Sequence, residues 1–145
     1  MSMNIILDYN RTLYDPETQS LYPEAAVLLR NLSQKHDLYL IGRNEPGRSN
    51  KLDELDIRRY FKEVRFVDQK TEELFGNIIT DNENVTFVIG DRVYEEIAIG
   101  NKLGYRTIWV RQGKFSGETP RKEAENPLLT VHSLSEIEPI LEKHA

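Results

Sequence analysis

The chain contains no cysteine. Disulfides and thiolate metal sites are therefore excluded, and nothing calls for an oxidising compartment. No apolar run approaches the roughly 18 residues that a transmembrane helix needs. The N-terminus lacks a basic stretch followed by an apolar one, so no signal peptide and no membrane association is expected, and the cytoplasm is the default location. Like charges never form a block, and the net charge is −5, so the basic footprint of a nucleic-acid binder is missing. The three histidines, His36, His132 and His144, have no metal-like spacing and read as surface residues. Repeats, low-complexity tracts and linkers are absent too. What remains is an ordinary composition, 39% hydrophobic and 30% charged, over 145 residues. That length suits one domain spanning 1–145 with a core of its own.

Apolar runs alternate with helical stripes along this chain. Met3–Leu7 reads as a strand buried on both faces. Pro23 opens a helix in which Ala25, Leu28, Leu29 and Leu32 share one face. Leu38–Ile41 is a second strand, a helix capped by Asn50 carries Leu52 and Leu55, and EVRFV (63–67) is a third strand. A helix starting near Lys70 buries Leu74, Phe75, Ile78 and Ile79. VTFVIG (85–90) is the fourth strand, TIWV (107–110) the fifth, with Trp109 in the core, and LLTV (128–131) a further one. Ser133 and Glu136 form a capping box for the last helix. Alternation of this kind, without hairpin signals, predicts an α/β fold with a doubly wound parallel sheet, for which 5-4-1-2-3, counting strands along the chain, is the candidate strand order. The polar 113–127 stretch reads as a surface excursion, and Arg111 and Lys114 as solvated residues that could also face a substrate.

In open parallel sheets, ligands bind beyond the carboxyl ends of the strands where the winding reverses. Asp8 ends the first strand and Asp91 the fourth, and with that strand order the two strands would be neighbours at the reversal. Oxygen ligands converging on such a crevice suit Mg²⁺. An aspartate at a strand end is also a common turn or cap residue.

LDYNRTLY (7–14) resembles the first motif, DxDxT, of the haloacid dehalogenase (HAD) superfamily, and FVIGDRVYEEIAIGNKLGYRTIWV (87–110) resembles its fourth. Lys70 stands where the third motif places its lysine. The resemblance implies a Rossmann-like HAD core and a Mg²⁺ ion held by Asp8, the backbone carbonyl of Asn10, and Asp91. It implies Asp8 as the nucleophile that becomes an aspartyl phosphate, with Lys70 holding both Asp8 and the phosphate. Tyr9, Asn10, Gly42, Arg43 and Lys70 would surround the phosphate. Glu96, with Glu95 as its alternative, would order a metal-bound water, and Thr12 would close the turn. Neither the span before the second strand nor that from Gly42 to Lys70 has room for a cap domain. The layout of residues 40–64 is similar to the cap-less magnesium-dependent phosphatase group.

Two positions depart from the family pattern. Gly42 stands where a serine or threonine hydroxyl should meet the phosphate, leaving the Gly42 N–H, Arg43 or Asn44 as substitutes. Asn10 replaces the acid that protonates the leaving oxygen and later activates water, which an amide cannot do. The expected function is a Mg²⁺-dependent phosphatase weakened by Asn10, acting on a small or macromolecular phosphorylated substrate as a monomer or small homo-oligomer. The alternative is a non-catalytic phosphate- or partner-binding protein. Dehalogenation by Asp8 fits less well, because Asp91 and Lys70 match the metal-and-phosphate pattern.

Overall fold

Strand β1 (Asn4–Leu7) is followed by two short strands, β2 (Tyr14–Asp15) and β3 (Ser20–Leu21), then α1 (Ala25–Ser33) and β4 (Asp37–Arg43). Helix α2 (Arg48–Glu54) and a 3₁₀ turn (Arg58–Tyr60) lead to β5 (Glu63–Val67) and α3 (Glu72–Ile78). The chain continues through β6 (Thr86–Gly90), a π-helical turn (Val93–Ile97), α4 (Ala98–Lys102), β7 (Arg106–Val110), β8 (Leu129–Val131) and α5 (Ile137–His144). This computed structural model describes residues 2–81 and 83–144.

Six strands form one parallel sheet in the order β5-β4-β1-β6-β7-β8. The expected doubly wound sheet is therefore present, with LLTV added at one edge. Every strand residue of β1 is buried, as a strand covered on both faces requires. Period-two alternation sends Ile5, Leu7, Leu38, Leu40, Phe87 and Ile89 to the face covered by α1, α2 and α5. Ile6, Tyr39, Ile41 and Val88 face the other way, against Phe75 and Ile78 of α3. Among the described residues, no helix is long and apolar enough to cross a membrane. Neither the β1–α1 nor the β4–β5 connection holds an inserted cap.

Several local expectations change. β2 and β3 pair antiparallel in a small hairpin although the sequence carries no hairpin signal, with Gln19 at φ 56° in its turn. Helix α1 starts after Glu24, which sits at φ 63°, so Pro23 lies in the turn before it. Asn50 lies inside α2; Gly47, at φ 82°, occupies its cap position. Helix α3 is capped by Thr71, whose side chain accepts from the Leu74 N–H at 3.1 Å, and Lys70 precedes that cap. His36 is half-buried, its Nδ1 accepting the Met3 N–H at 3.0 Å. Burial pushes its pKa down, in keeping with the neutral ring that this bond requires.

Candidate active site

Register does most of the positioning. Leu7 pairs with Ile89, and the Asp8 N–H donates to the Ile89 carbonyl at 3.0 Å, so Asp8 emerges beside Gly90 and Asp91. A tight turn follows, in which the Tyr9 carbonyl accepts the N–H groups of Thr12, Leu13 and Tyr14. Arg11 takes φ 63° and the Arg11 N–H donates to the Tyr14 carbonyl at 2.7 Å. The turn throws Thr12 back under β1. Its hydroxyl donates to Asp8 Oδ2 at 3.0 Å and lies 3.3 Å from Asp91 Oδ1, so Thr12 both closes the turn and ties the two acids.

Lys70 reaches in from the start of α3. Its ammonium donates to Asp8 Oδ1 at 2.6 Å and to Glu96 Oε1 at 2.9 Å, with the side chain only 4% exposed. The other Glu96 oxygen accepts the Arg92 N–H at 2.9 Å. Glu96 lies flat on Gly90, where an added Cβ would sit 2.3 Å from its Oε2; only glycine leaves that space. Of the two candidate glutamates, Glu96 is the buried one inside the cluster. Glu95 lies outside it, pairing with Arg43 at 3.2 Å and with Arg92.

Asp8, Asp91 and Glu96 each bring a carboxylate oxygen within 4.8 Å of the others. Three carboxylates against one ammonium leave two negative charges when all are ionised, in a buried place where charge is costly. Protons make up the difference. Burial, then the charges of Asp8 and Glu96, push Asp91 up to about 10. Burial pushes Glu96 up to about 7 against the opposing pull of Lys70. Burial also acts on Asp8, but the Lys70 charge and the hydrogen bonds with Asp91, Lys70 and Thr12 outweigh it and hold Asp8 below the ordinary aspartate range. Lys70, despite burial, is held above its usual value by Asp8 and Glu96. Among the described residues, Asp91 Oδ2 is buried without a hydrogen-bond partner. A hard divalent cation suits this set: oxygen donors only, two charges to neutralise and one orphaned oxygen.

The cluster floors a cleft of 340 Å³ that Asn10, Arg43, Asn44, Arg48, Arg92 and Phe115 also line. Asn10, Arg43, Lys70 and the acids thus meet as the sequence suggested. Gly42 and the Tyr9 side chain do not. A Cβ on Gly42 would lie 3.0 Å from Phe66 Cε1 and 3.2 Å from Tyr9 Cβ, so the space for the missing hydroxyl is filled from β5. The Tyr9 ring is buried, stacked on Tyr14 at 5.2 Å and edge-on to Phe66 at 5.8 Å. Burial pushes its hydroxyl up to about 12. Arg111 and Lys114 also stay out, Arg111 lying over the Trp109 ring at 4.9 Å. Trp109 is buried as expected, and its Nε1–H donates to the Asp91 carbonyl at 2.9 Å.

Sequence reasoning missed Arg48, Arg92, Phe115 and Glu118. The 113–127 segment is not a free excursion. Glu118 accepts the Val93 N–H at 2.8 Å and binds the Arg92 guanidinium at 2.8 Å, which lies over Phe115 at 4.0 Å. An acid 27 residues beyond the strand-end Asp91 gives no local signal of that pairing. Arg48 could have been noticed only as a cation near a strand end.

The HAD-hydrolase-like family model matches residues 69–137, from Lys70 through Asp91 to the last helix. YfnB of Bacillus subtilis, a HAD-hydrolase by assignment and bound to magnesium in its structure, is 25% identical with a TM-score of 0.69. The alignment covers 84% of this chain but 56% of that one, so the chain spans little more than half of YfnB's length. A 2-haloacid dehalogenase from Pseudomonas syringae matches over 100% of both chains at 15% identity and a TM-score of 0.79. An uncharacterised Listeria monocytogenes protein matches over 97% of both at 16% identity and 0.80. No curated protein matches significantly.

Proposed function

We propose, from the premise that this chain belongs to the haloacid dehalogenase superfamily, that it is a magnesium-dependent phosphatase-like hydrolase without a cap. The observation that carries this reading is the buried excess of carboxylate around Lys70, with one Asp91 oxygen left unpaired. Asp8, Asp91 and the backbone carbonyl of Asn10 would hold Mg²⁺. When bound, the ion supplies positive charge for the phosphoryl oxygens and replaces the protons on the acids.

The chain's own residues supply the rest. Asp8, kept ionised by Lys70 and Thr12, attacks phosphorus to give an aspartyl phosphate. Lys70 holds Asp8 on the line of attack and offers its remaining N–H to a phosphoryl oxygen. Glu96 fixes Lys70 from behind. Asn10, facing the same cleft, can orient a leaving oxygen but cannot protonate it. A phosphorylated substrate, small or macromolecular, would enter the open cleft as it lies on the monomer or on a small homo-oligomer.

Asp8→Asn should abolish release of phosphate from p-nitrophenyl phosphate, and Asp91→Ala should abolish the calorimetric signal of Mg²⁺ binding. Unchanged turnover in Asp8→Asn would sink the mechanism. Mg²⁺ and phosphate binding by the parent protein, with no turnover and no phosphoenzyme, would favour the non-catalytic binding protein that Asn10 and Gly42 leave as the second reading.

A further inference from the structure

A second groove, of 470 Å³, adjoins the Asp8 cleft, and Asn10, Glu45 and Arg48 line both. Its charge is opposite to that of the chain. Arg11, Arg48 and Lys51 line it against one carboxylate, Glu45, an excess of two positive charges in a protein of net charge −5. Their partners hold them loosely. Arg48 meets Glu45 only at 3.9 Å, and Arg11 and Lys51 pair at 3.1 and 3.4 Å with Glu17 and Glu54, carboxylates whose side chains are 74% and 68% exposed. Exposed pairs of this kind yield readily to a ligand anion. The cations are nevertheless placed: Arg48 donates to the Arg43 carbonyl at 2.6 Å and lies 5.7 Å above the Tyr9 ring, and Lys51 Nζ lies 5.9 Å from the Tyr14 ring centre.

Asn10 stands at the junction. It cannot give a proton to the departing oxygen, so that oxygen must leave as a stable anion. The groove next to it is built to receive an anion. We infer that the leaving group is a phosphate, and that the substrate class is a phosphoanhydride whose terminal phosphorus meets Asp8 while the remaining phosphate rests on Arg48 and Lys51. This rests on the phosphatase reading above and specifies its substrate. Asp8 Oδ forms the new bond to phosphorus, the bridging P–O bond breaks, and its electron pair leaves on the second phosphate. A phosphate monoester binds its last proton with a pKa of about 6, so it departs at neutral pH without a donor. Water then attacks the aspartyl phosphate, the bond to Asp8 breaks, and the proton lost by water is taken up by the orthophosphate formed.

The test measures binding apart from turnover. With excess Mg²⁺, calorimetry should find methylenediphosphonate bound at least tenfold more tightly than methylphosphonate, and Lys51→Ala should shrink that ratio below threefold. Phosphonoacetate, which carries a carboxylate in place of the second phosphate, should bind more weakly than the diphosphonate; the reverse order would overturn phosphate as the leaving group. In turnover, kcat/KM for a nucleoside diphosphate should exceed that for glycerol phosphate. Lys51→Ala should lower it at least tenfold relative to p-nitrophenyl phosphate. Equal affinity for mono- and diphosphonate overturns this inference even if the protein is an active phosphatase. Tight, Lys51-dependent diphosphonate binding without turnover of any phosphate supports the anion subsite and overturns the hydrolase reading instead.

Discussion

Restoring an acid at position 10 probes the site most directly. Asn10 is half-buried on the turn after β1 and faces the cleft floored by Asp8, Asp91 and Glu96. Asn10→Asp adds a carboxyl of nearly the same size, so the cost to packing is small. Its charge is not neutral in effect. The new group would share a cleft with three carboxylates and one ammonium, and like charges raise a carboxyl's pKa. The phosphate bound for reaction adds further negative charge beside it, so the new carboxyl should favour the protonated form that can donate to a leaving oxygen. General acid catalysis is worth about 10²–10⁴-fold, and the whole of it should fall on substrates whose leaving group needs a proton. Glycerol phosphate turnover should rise within that range in Asn10→Asp, while p-nitrophenyl phosphate and acetyl phosphate, whose leaving groups depart unaided, should change little. In the parent protein the missing base should let the phosphoenzyme on Asp8 accumulate; rapid acid quench with labelled substrate would count it. An equal gain on every leaving group would refute the argument from proton donation. No gain and no phosphoenzyme in either form would refute the damaged-acid account of Asn10 altogether.

Gly90→Ala should destabilise the fold by roughly 1–3 kcal/mol, the usual cost of overpacking, because its Cβ would displace the Glu96 carboxylate. Urea unfolding would read the loss, and in a double-mutant cycle Glu96→Ala should recover part of it; strict additivity would mean that the clash is not with Glu96. Lys70→Ala removes the one cation among three buried carboxylates and should cost about 3–5 kcal/mol without metal, most of it at high pH where the acids cannot hold protons. The metal-free parent should itself lose stability as pH rises. Asp91 and Glu96 are raised in the fold, to about 10 and about 7, so the folded state holds protons that the unfolded chain releases near pH 4, and this contribution fades through those two values. Mg²⁺ must expel those protons. Its affinity should thus climb from pH 6 to pH 9, with proton release visible as a buffer-dependent calorimetric heat. Affinity independent of pH would contradict the carboxylate set assigned to it.

The strands were legible because burial on both faces writes continuous apolar runs such as Ile5–Leu7 and Phe87–Ile89, and local pattern is enough to find them. Right-handed crossovers narrowed the orders open to them, and the motif resemblance selected one. Once β1 and β6 are neighbours, Asp8 and Asp91 must meet, which is why those two acids could be named before any coordinates. The β2–β3 hairpin escaped because each strand is two residues long and its turn has Gln19, not glycine, at positive φ. Gly42 was legible only as a loss. That Phe66 fills the vacant space depends on β5 lying beside β4, a fact of register between distant residues. The same holds for Glu118 reaching back to Arg92, and for Arg48 joining two cavities. Sequence by itself determined the parallel sheet, its switch point and the acids placed there, since hydrophobic period and chain connectivity are local or nearly so. Tertiary structure alone decided which acids are charged, what stands in place of the lost hydroxyl, and that a positive groove lies beside a negative cleft. Charge states and pairings depend on distances of a few ångströms between residues tens of positions apart, and burial magnifies each of those distances into energy.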